Sequence, residues 1–158
     1  MEVIYIFTLV HDIGAGLLLG GGVAIAFFLA MAQRTGHSGV IAVTARFAVA
    51  ANLILMAAAV VLQPLSGLAL AWAIGLSPSQ EPWIALSAPL YGVAVGCWLP
   101  TVFIAMRIRD LAQAAALKGE PLPARYHRLA RLWSWLGLAA LFAVLGIFAL
   151  MIWQPHPF

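Results

Sequence analysis

The chain has 158 residues, of which 65% are hydrophobic and 8% are charged, and its formal net charge is +3. A soluble globular domain carries about 25% charged residues, so this composition could not cover a folded domain with a polar surface. The composition therefore excludes a soluble protein and predicts an integral membrane protein.

Four apolar runs are long enough to cross a bilayer, which takes about 20 helical residues. We predict membrane-spanning helices at approximately residues 3–32, 47–75, 83–106 and 132–153. The third helix is expected to continue beyond the bilayer to about residue 117. The predicted fold class is all-α: a four-transmembrane-helix bundle with short loops, in which residues 1–158 form a single domain.

The first helix contains the stretch "HDIGAGLLLGGG", which places His11 beside Asp12 in an apolar run. At about 100° per residue, His11, Gly14 and Leu18 fall on one face of this helix. Gly16 and Gly20 lie near the opposite face, at a four-residue spacing that lets two helix backbones approach closely. We expect tight packing against helix two through these glycines or the histidine face. The other interpretation is that the small residues on the histidine face leave room for a flat ligand.

The second helix contains "QPLSG", in which Gln63 and Ser66 bracket Pro64. A proline inside a helix removes one backbone donor and leaves the carbonyl one turn earlier without its usual partner, which predicts a kink. At membrane depth such a break is tolerated where neighbouring groups or a cavity satisfy the exposed groups.

Helix three carries Tyr91 and the stretch "CWLP" with Trp98. Counting about 1.5 Å per residue from the predicted helix ends places Tyr91 near the depth of His11 and Trp98 about two turns deeper. The segment "KGEPLP" should end helix three, and "ARYHRLARLWSW" should lead into helix four. Its aromatic residues, Tyr126 and Trp133 among them, are predicted to be anchors at the membrane interface.

The basic residues all flank the first and third loops: Arg34, Arg46, Arg107, Arg109, Lys118, Arg125, Arg128 and Arg131. The positive-inside rule then places these loops in the cytoplasm and both termini outside. We predict a multi-pass protein of the bacterial inner (cytoplasmic) membrane, N-out and C-out, with periplasmic termini. The positive charge fits attraction to anionic lipid and gives no indication of nucleic-acid binding.

Ionisable residues inside a membrane mark functional sites by default, and three roles compete for His11. It could ligate the iron of haem b, form a hydrogen bond to Gln63 or Tyr91 that fixes helix packing, or relay protons together with Asp12. The predicted cofactor-binding residues are His11, as the metal ligand, with Gly14, Leu18, Gln63, Ser66, Tyr91 and Trp98. A second axial histidine would have to be His156 in the C-terminal tail; without it the iron would be five-coordinate or have a non-histidine sixth ligand.

Four segments in order carry a resemblance: "HDIGAGLLLGGG", "QPLSG", "CWLP…RIRDLA" and "PLPARYHRLARLW". Together they resemble a bacterial family of predicted four-helix integral membrane proteins of unknown function, over essentially the whole chain. More remotely, a helix-one histidine followed by glycines is similar to the HemJ-type protoporphyrinogen oxidases. In those proteins this histidine serves haem, so the resemblance implies that His11 is the ligand.

Two classes of function follow from these expectations. The first is a haem b protein with a redox or electron-transfer role, whose partner would be a quinone, a periplasmic redox protein or another membrane subunit. The second is a non-catalytic membrane subunit or scaffold, or a small transporter-like protein, in which His11 serves packing or proton relay. Both classes are compatible with a homo-oligomer in the lipid bilayer.

Overall fold

The computed structural model describes residues 2–77 and 81–154. Their secondary structure is four long helices, α1 (Glu2–Arg34), α2 (Ser38–Ala73), α3 (Pro82–Lys118) and α4 (Ala124–Trp153), with no strand among these residues. Each helix is long and apolar enough to cross a membrane. The predicted all-α fold with four membrane-spanning helices is confirmed.

Two helices begin earlier than the hydropathy pattern predicts. Helix α2 starts at Ser38 rather than near residue 47, and α4 starts at Ala124 rather than near residue 132. The loop before α2 is short because Gly36 adopts a positive φ of 68° and turns the chain directly after α1. Arg46, which we expected beside the first loop, consequently lies on the exposed side of α2. The predicted starts directly follow a basic residue, Arg46 or Arg131, whereas each helix continues past that residue without a break.

Helix α3 continues beyond its apolar part and ends at Lys118, close to the predicted end near residue 117. Gly119 follows with a φ of 67°, a conformation that favours glycine and that ends many helices. Pro123 then precedes the first turn of α4 in an extended conformation. The segment "KGEPLP" therefore separates the two helices as the sequence indicates.

The four helices run up and down in chain order. Helix α1 packs on α2, the first half of α2 packs on α3, and α3 packs on α4 most extensively of all. All eight Lys and Arg residues lie on the C-terminal parts of α1 and α3 and the N-terminal parts of α2 and α4. We call this end of the bundle the basic end, and the remainder, with the N-terminal part of α1 and the C-terminal part of α2, the distal half.

The most closely packed part of the protein lies at the basic end. Ile41 of α2 and Ile108 of α3 have no exposed surface, and small residues allow the helices around them to approach. The buried cluster comprises Leu29, Ala32, Ile41, Ala42, Ala45, Val49, Ala105, Ile108, Ala112, Tyr126, Ala130 and Trp133. The apolar core is thus concentrated where the charged residues are, and not in the middle of the apolar spans.

Two aromatic residues of α4 belong to this core and not to the membrane interface. Tyr126 is 1% exposed and Trp133 is 8% exposed, whereas Trp135 is 68% exposed. The prediction of interfacial anchors is therefore wrong for Tyr126 and Trp133. Because α4 begins at Ala124, these two residues lie on a regular helix face that packs against the neighbouring helices.

Helices α1 and α2 each contain one π-helical turn, Leu17–Gly21 and Asn52–Met56. The two turns lie against each other: a Cβ atom added at Gly21 would come within 3.1 Å of Met56 Sδ. Short π-helical turns inside α-helices are frequent at functional sites. This pair lies between the polar groups of the distal half and the core of the basic end.

Candidate functional site

His11 lies in the interface between the distal parts of α1 and α2. Its side chain is buried, and both ring nitrogens meet polar groups of α2. Nδ1 lies 3.2 Å from Ser66 Oγ, and Nε2 lies 3.3 Å from Gln63 Nε2. Of the three roles considered for His11, the hydrogen bond to Gln63 is the one present, and Ser66 joins the same network.

The donors of this network determine the protonation of the imidazole ring. An amide nitrogen can only donate, so Gln63 donates to Nε2 of His11 and leaves the ring proton on Nδ1. Nδ1–H then donates to Ser66 Oγ, and the Ser66 hydroxyl donates to the Leu62 carbonyl at 2.7 Å. With the Gln63 amide placed in this way, both ring nitrogens of His11 are engaged in hydrogen bonds.

Two glycines make room for this network. A Cβ atom added at Gly67 would lie 2.9 Å from His11 Cε1, which is too close for any side chain. One added at Gly14 would overlap Oε1 of Gln63, an atom without a hydrogen-bond partner among the described residues. The space that small residues leave on the histidine face is therefore filled by the Gln63 amide and the imidazole ring.

Haem b as a ligand of His11 can be tested against this arrangement. An axial histidine offers one ring nitrogen to the iron, and a macrocycle needs open space beside that nitrogen. Both nitrogens of His11 are engaged, and Gly67 and the Gln63 side chain close the space around the ring. The residues around His11 therefore fit haem poorly, and His156 lies outside the described residues.

Because of Pro64, one backbone carbonyl of α2 lacks its usual donor within the helix, and it accepts a hydrogen bond from another helix instead. The missing donor at position 64 would have bonded to the carbonyl of Val60, four residues earlier. In the structure the Tyr91 hydroxyl of α3 donates to this carbonyl oxygen. Helix α2 continues through Pro64 without interruption. Of the two arrangements that tolerate such a break, a neighbouring group is the one present here, with Tyr91 as the donor.

A second interhelical hydrogen bond lies deeper in the bundle. The indole N–H of Trp98 donates to Asn52 Oδ1 at 3.2 Å, and Asn52 Nδ2 donates to the Ala48 carbonyl at 3.0 Å. Asn52 is the first residue of the π-helical turn of α2 and is 4% exposed. This pair connects α2 to α3 below the link made by Tyr91.

A cavity of about 470 Å³ lies between the four helices. Both π-helical turns contribute to its wall, and so do three of the predicted site residues, Leu18, Tyr91 and Trp98. Its volume falls within the range of about 300–1,000 Å³ that is usual for ligand sites. His11, Gln63 and Ser66 are not among the residues that line it.

Apolar side chains make up most of the cavity wall, and none of the described residues in the wall is charged. Its polar members are Gln33, Asn52, Tyr91, Trp98, Thr101, Trp133 and Ser134. Trp133 differs from most of them, because its indole N–H has no acceptor among the described residues. The cavity therefore combines an uncharged, largely apolar wall with one buried donor that has no acceptor among the described residues.

The seven predicted cofactor-binding residues fall into two neighbouring groups. His11, Gly14, Gln63 and Ser66 form the network between α1 and α2, while Leu18, Tyr91 and Trp98 line the cavity. Sequence reasoning missed Gly67, although it directly follows Ser66 in "QPLSG". It also missed Met56 and Trp133, for which no local pattern distinguishes a cavity residue from any other apolar one.

The glycines of the opposite face of α1 do not pack within the chain. A Cβ atom added at Gly16 or Gly20 would meet nothing within 4 Å. Of the two surfaces proposed for the contact between α1 and α2, only the histidine face is used. Gly16 and Gly20 lie on the exposed surface of the bundle instead.

Comparison with known proteins gives a family but no characterised relative. No curated protein and no solved structure shows a significant match to this chain. None of the comparisons shows a similarity to the HemJ-type oxidases. Residues 5–155 match the family described as "Predicted integral membrane protein (DUF2269)". Because this match covers nearly the whole chain, the protein belongs to the DUF2269 family of predicted integral membrane proteins.

Proposed function

We propose that this protein binds a small, uncharged, lipid-soluble molecule inside its four-helix bundle. The observation that carries the proposal is the cavity of about 470 Å³, to which all four helices contribute and whose described wall has no charged residue. Four-helix bundles commonly build their ligand sites from side chains on facing helices. This function includes binding of a quinone. It also includes a transporter-like role and a role as the ligand-binding subunit of a larger assembly.

In this proposal His11 positions the helices and does not touch the ligand. The His11 network joins α1 to α2 one to two turns distal to the cavity. Hydrogen bonds between helices hold membrane bundles together where no hydrophobic force acts between the helices. The network would therefore keep α1 and α2 aligned around the two π-helical turns that form part of the cavity wall.

A cavity-filling substitution tests the binding function. Gly137 of α4 lines the cavity and a Cβ atom there would meet nothing within 4 Å, so Gly137→Leu should fill the cavity without disturbing the backbone. Gly92→Leu is the matched control, because Gly92 also has open space around it but lies on the exposed surface. The probe is 1-aminoanthracene, a flat uncharged molecule whose fluorescence rises in apolar sites.

We expect saturable binding of 1-aminoanthracene to the wild-type protein and to Gly92→Leu in detergent. Gly137→Leu should weaken binding at least about tenfold, which corresponds to about 1.4 kcal/mol. Equal binding by both variants would show that the probe does not occupy the cavity. That result, or only non-saturable partition of the probe into detergent, would overturn the proposed function.

Haem ligation by His11 is a second candidate, and one observation favours it. His11 is buried within an apolar helix, and its Nε2 has a single polar contact, at 3.3 Å, to the neutral amide of Gln63. The test is the absorption spectrum of protein expressed with ample haem, oxidised and dithionite-reduced. A Soret band lost in His11→Ala and retained in the exposed control His37→Ala would replace the positioning role of His11 by a haem site. A colourless wild-type protein would exclude haem.

We further propose that the basic end faces the cytoplasm and that both termini are periplasmic in the bacterial inner membrane. All eight Lys and Arg residues lie at the basic end, and basic residues concentrate on the cytoplasmic side of membrane proteins. A C-terminal alkaline phosphatase fusion should be active, and a C-terminal green fluorescent fusion should be dark. The opposite pair of results would reverse the orientation.

A further inference from the structure

The ligand class of the cavity can be narrowed from the hydrogen bonds along its wall. We infer, on the basis of the proposed function, that the ligand is an uncharged molecule with a hydrogen-bond acceptor. The acceptor, a carbonyl or ether oxygen, is bound by the indole N–H of Trp133 at the basic end. The hydrocarbon part of the ligand extends from there along α1 towards Tyr91.

The cavity is elongated along the bundle axis. On α1 its wall runs from Leu18 to Gln33, fifteen residues apart, which corresponds to about 22 Å of helix at 1.5 Å per residue. On α4 it runs from Trp133 to Val144. A cavity with this shape fits a chain or a ring with a chain better than a compact molecule.

Most polar groups in the wall already have partners within the protein. The hydroxyl of Tyr91 and the indole N–H of Trp98 donate to α2. The hydroxyl of Thr101 donates to the Trp98 carbonyl, and that of Ser134 donates to the Ala130 carbonyl. Because these hydrogens are already bonded within the protein, the middle and distal parts of the cavity present an apolar surface to a ligand.

Two wall residues differ from these: Gln33 is only partly buried, whereas Trp133 carries a buried donor without an acceptor among the described residues, and this donor determines the chemistry of the ligand. The side chain of Trp133 is 8% exposed and lines the cavity. Buried indole N–H groups in folded proteins usually have an acceptor, and an unsatisfied one calls for an explanation. An indole nitrogen donates and cannot accept. The complementary ligand therefore carries an acceptor, and the uncharged wall requires that the ligand be uncharged.

Two probes of similar shape separate the acceptor from the hydrocarbon part. Decylubiquinone carries carbonyl acceptors on a flat ring with one alkyl chain, and decylbenzene has a flat ring and the same chain without an acceptor. Each is titrated as a competitor of 1-aminoanthracene. Wild-type protein should bind decylubiquinone about fivefold more tightly, as expected for one net hydrogen bond. If the wild-type protein bound the two probes with equal affinity, that result alone would overturn the inference.

Substitution of the indole locates the donor. Trp133→Phe keeps an aromatic ring and removes the N–H, so it should weaken decylubiquinone binding about fivefold and leave decylbenzene binding unchanged. Trp135→Phe, two residues along α4 at an exposed position, is the matched control and should change neither affinity. An unchanged preference for decylubiquinone in Trp133→Phe would also overturn the inference.

These outcomes are distinguishable from failure of the proposed function. If Gly137→Leu abolishes binding of 1-aminoanthracene while Trp133→Phe leaves the preference unchanged, the cavity is a binding site but Trp133 does not select its ligand. If Gly137→Leu leaves probe binding unchanged, the cavity is not the binding site and both proposals fall. Thermal unfolding of each variant shows whether it has kept its fold.

Discussion

The basic end and the distal half of this bundle are held together by different interactions. At the basic end Ile41 and Ile108 are fully buried within a cluster of alanines and large apolar side chains. In the distal half the contacts between helices include hydrogen bonds, from His11 to α2 and from Tyr91 to the Val60 carbonyl, and a cavity lies beside them.

The proposed position of the bundle in the membrane accounts for this difference. The helices have 30 to 37 residues, more than the roughly 20 that cross a bilayer, and their excess length at the basic end carries the charges. If these turns project into water at the cytoplasmic side, as we propose, the hydrophobic effect drives their apolar faces together. Within lipid there is no such force between helices, so close glycine contacts and hydrogen bonds take over. A membrane bundle can therefore be densely packed at one end and hold a cavity further along.

The largest effect should come from the closely packed region. Ile108→Ala would leave a cavity among fully buried neighbours, and we expect it to lower the free energy of unfolding by about 2–5 kcal/mol. Leu141→Ala, in the existing cavity wall, should cost about 1 kcal/mol or less because part of its surface already lacks neighbours. Denaturant titration in detergent measures both. A larger loss for Leu141→Ala than for Ile108→Ala would contradict the comparison.

The contact between Gly67 and the imidazole tests how tightly the His11 network is held. In Gly67→Ala the new Cβ atom would lie 2.9 Å from His11 Cε1, so the ring must move away from Ser66. We expect a loss of about 1–3 kcal/mol, as for other over-packed sites. Gly96→Ala, where a Cβ atom meets nothing within 4 Å, is the control. If both alanine variants unfold at the same temperature, the His11 network contributes little to the stability of the distal half.

The hydrogen bond from Tyr91 can be examined by a double-mutant cycle with Pro64. Tyr91→Phe leaves the Val60 carbonyl without a partner, which should cost about 1–2 kcal/mol. In a Pro64→Ala background the restored backbone N–H can bond to that carbonyl, so the same substitution should cost markedly less. The coupling energy obtained from the four unfolding titrations measures the interaction. Additive effects would mean that the two residues act independently.

The smallest effect is expected on the exposed face of α1. Gly20→Leu should change stability by no more than about 0.5 kcal/mol, because a side chain there meets nothing within 4 Å. This expectation reverses the one drawn from the four-residue glycine spacing, which favoured a packed surface. Thermal unfolding in detergent checks it. A marked loss in the isolated chain would place Gly20 in a helix contact that the structure does not have.

Much of the candidate site could be predicted from local chemistry. A histidine at membrane depth needs a polar partner, which pointed to Gln63, and a proline in a helix needs a donor for the carbonyl one turn earlier. The sequence could not show which of the predicted residues join the His11 network and which line the cavity. It depends on the π-helical turns and on the position of Gly67 against His11, and neither changes the hydropathy pattern.

The sequence by itself determined that four helices cross a membrane, that the basic residues share one end, and that His11 is an exceptional residue in an apolar span. These properties depend on composition and spacing along a single helix. Only the tertiary structure decided that α2 and α4 extend into the basic end, that Gly16 and Gly20 face outward, and that Trp133 lines a cavity with an unsatisfied N–H. The physical reason is that apolar faces look alike in the sequence whether they meet lipid, a neighbouring helix or an empty space. The rotation and register of four helices packed together select among these three environments.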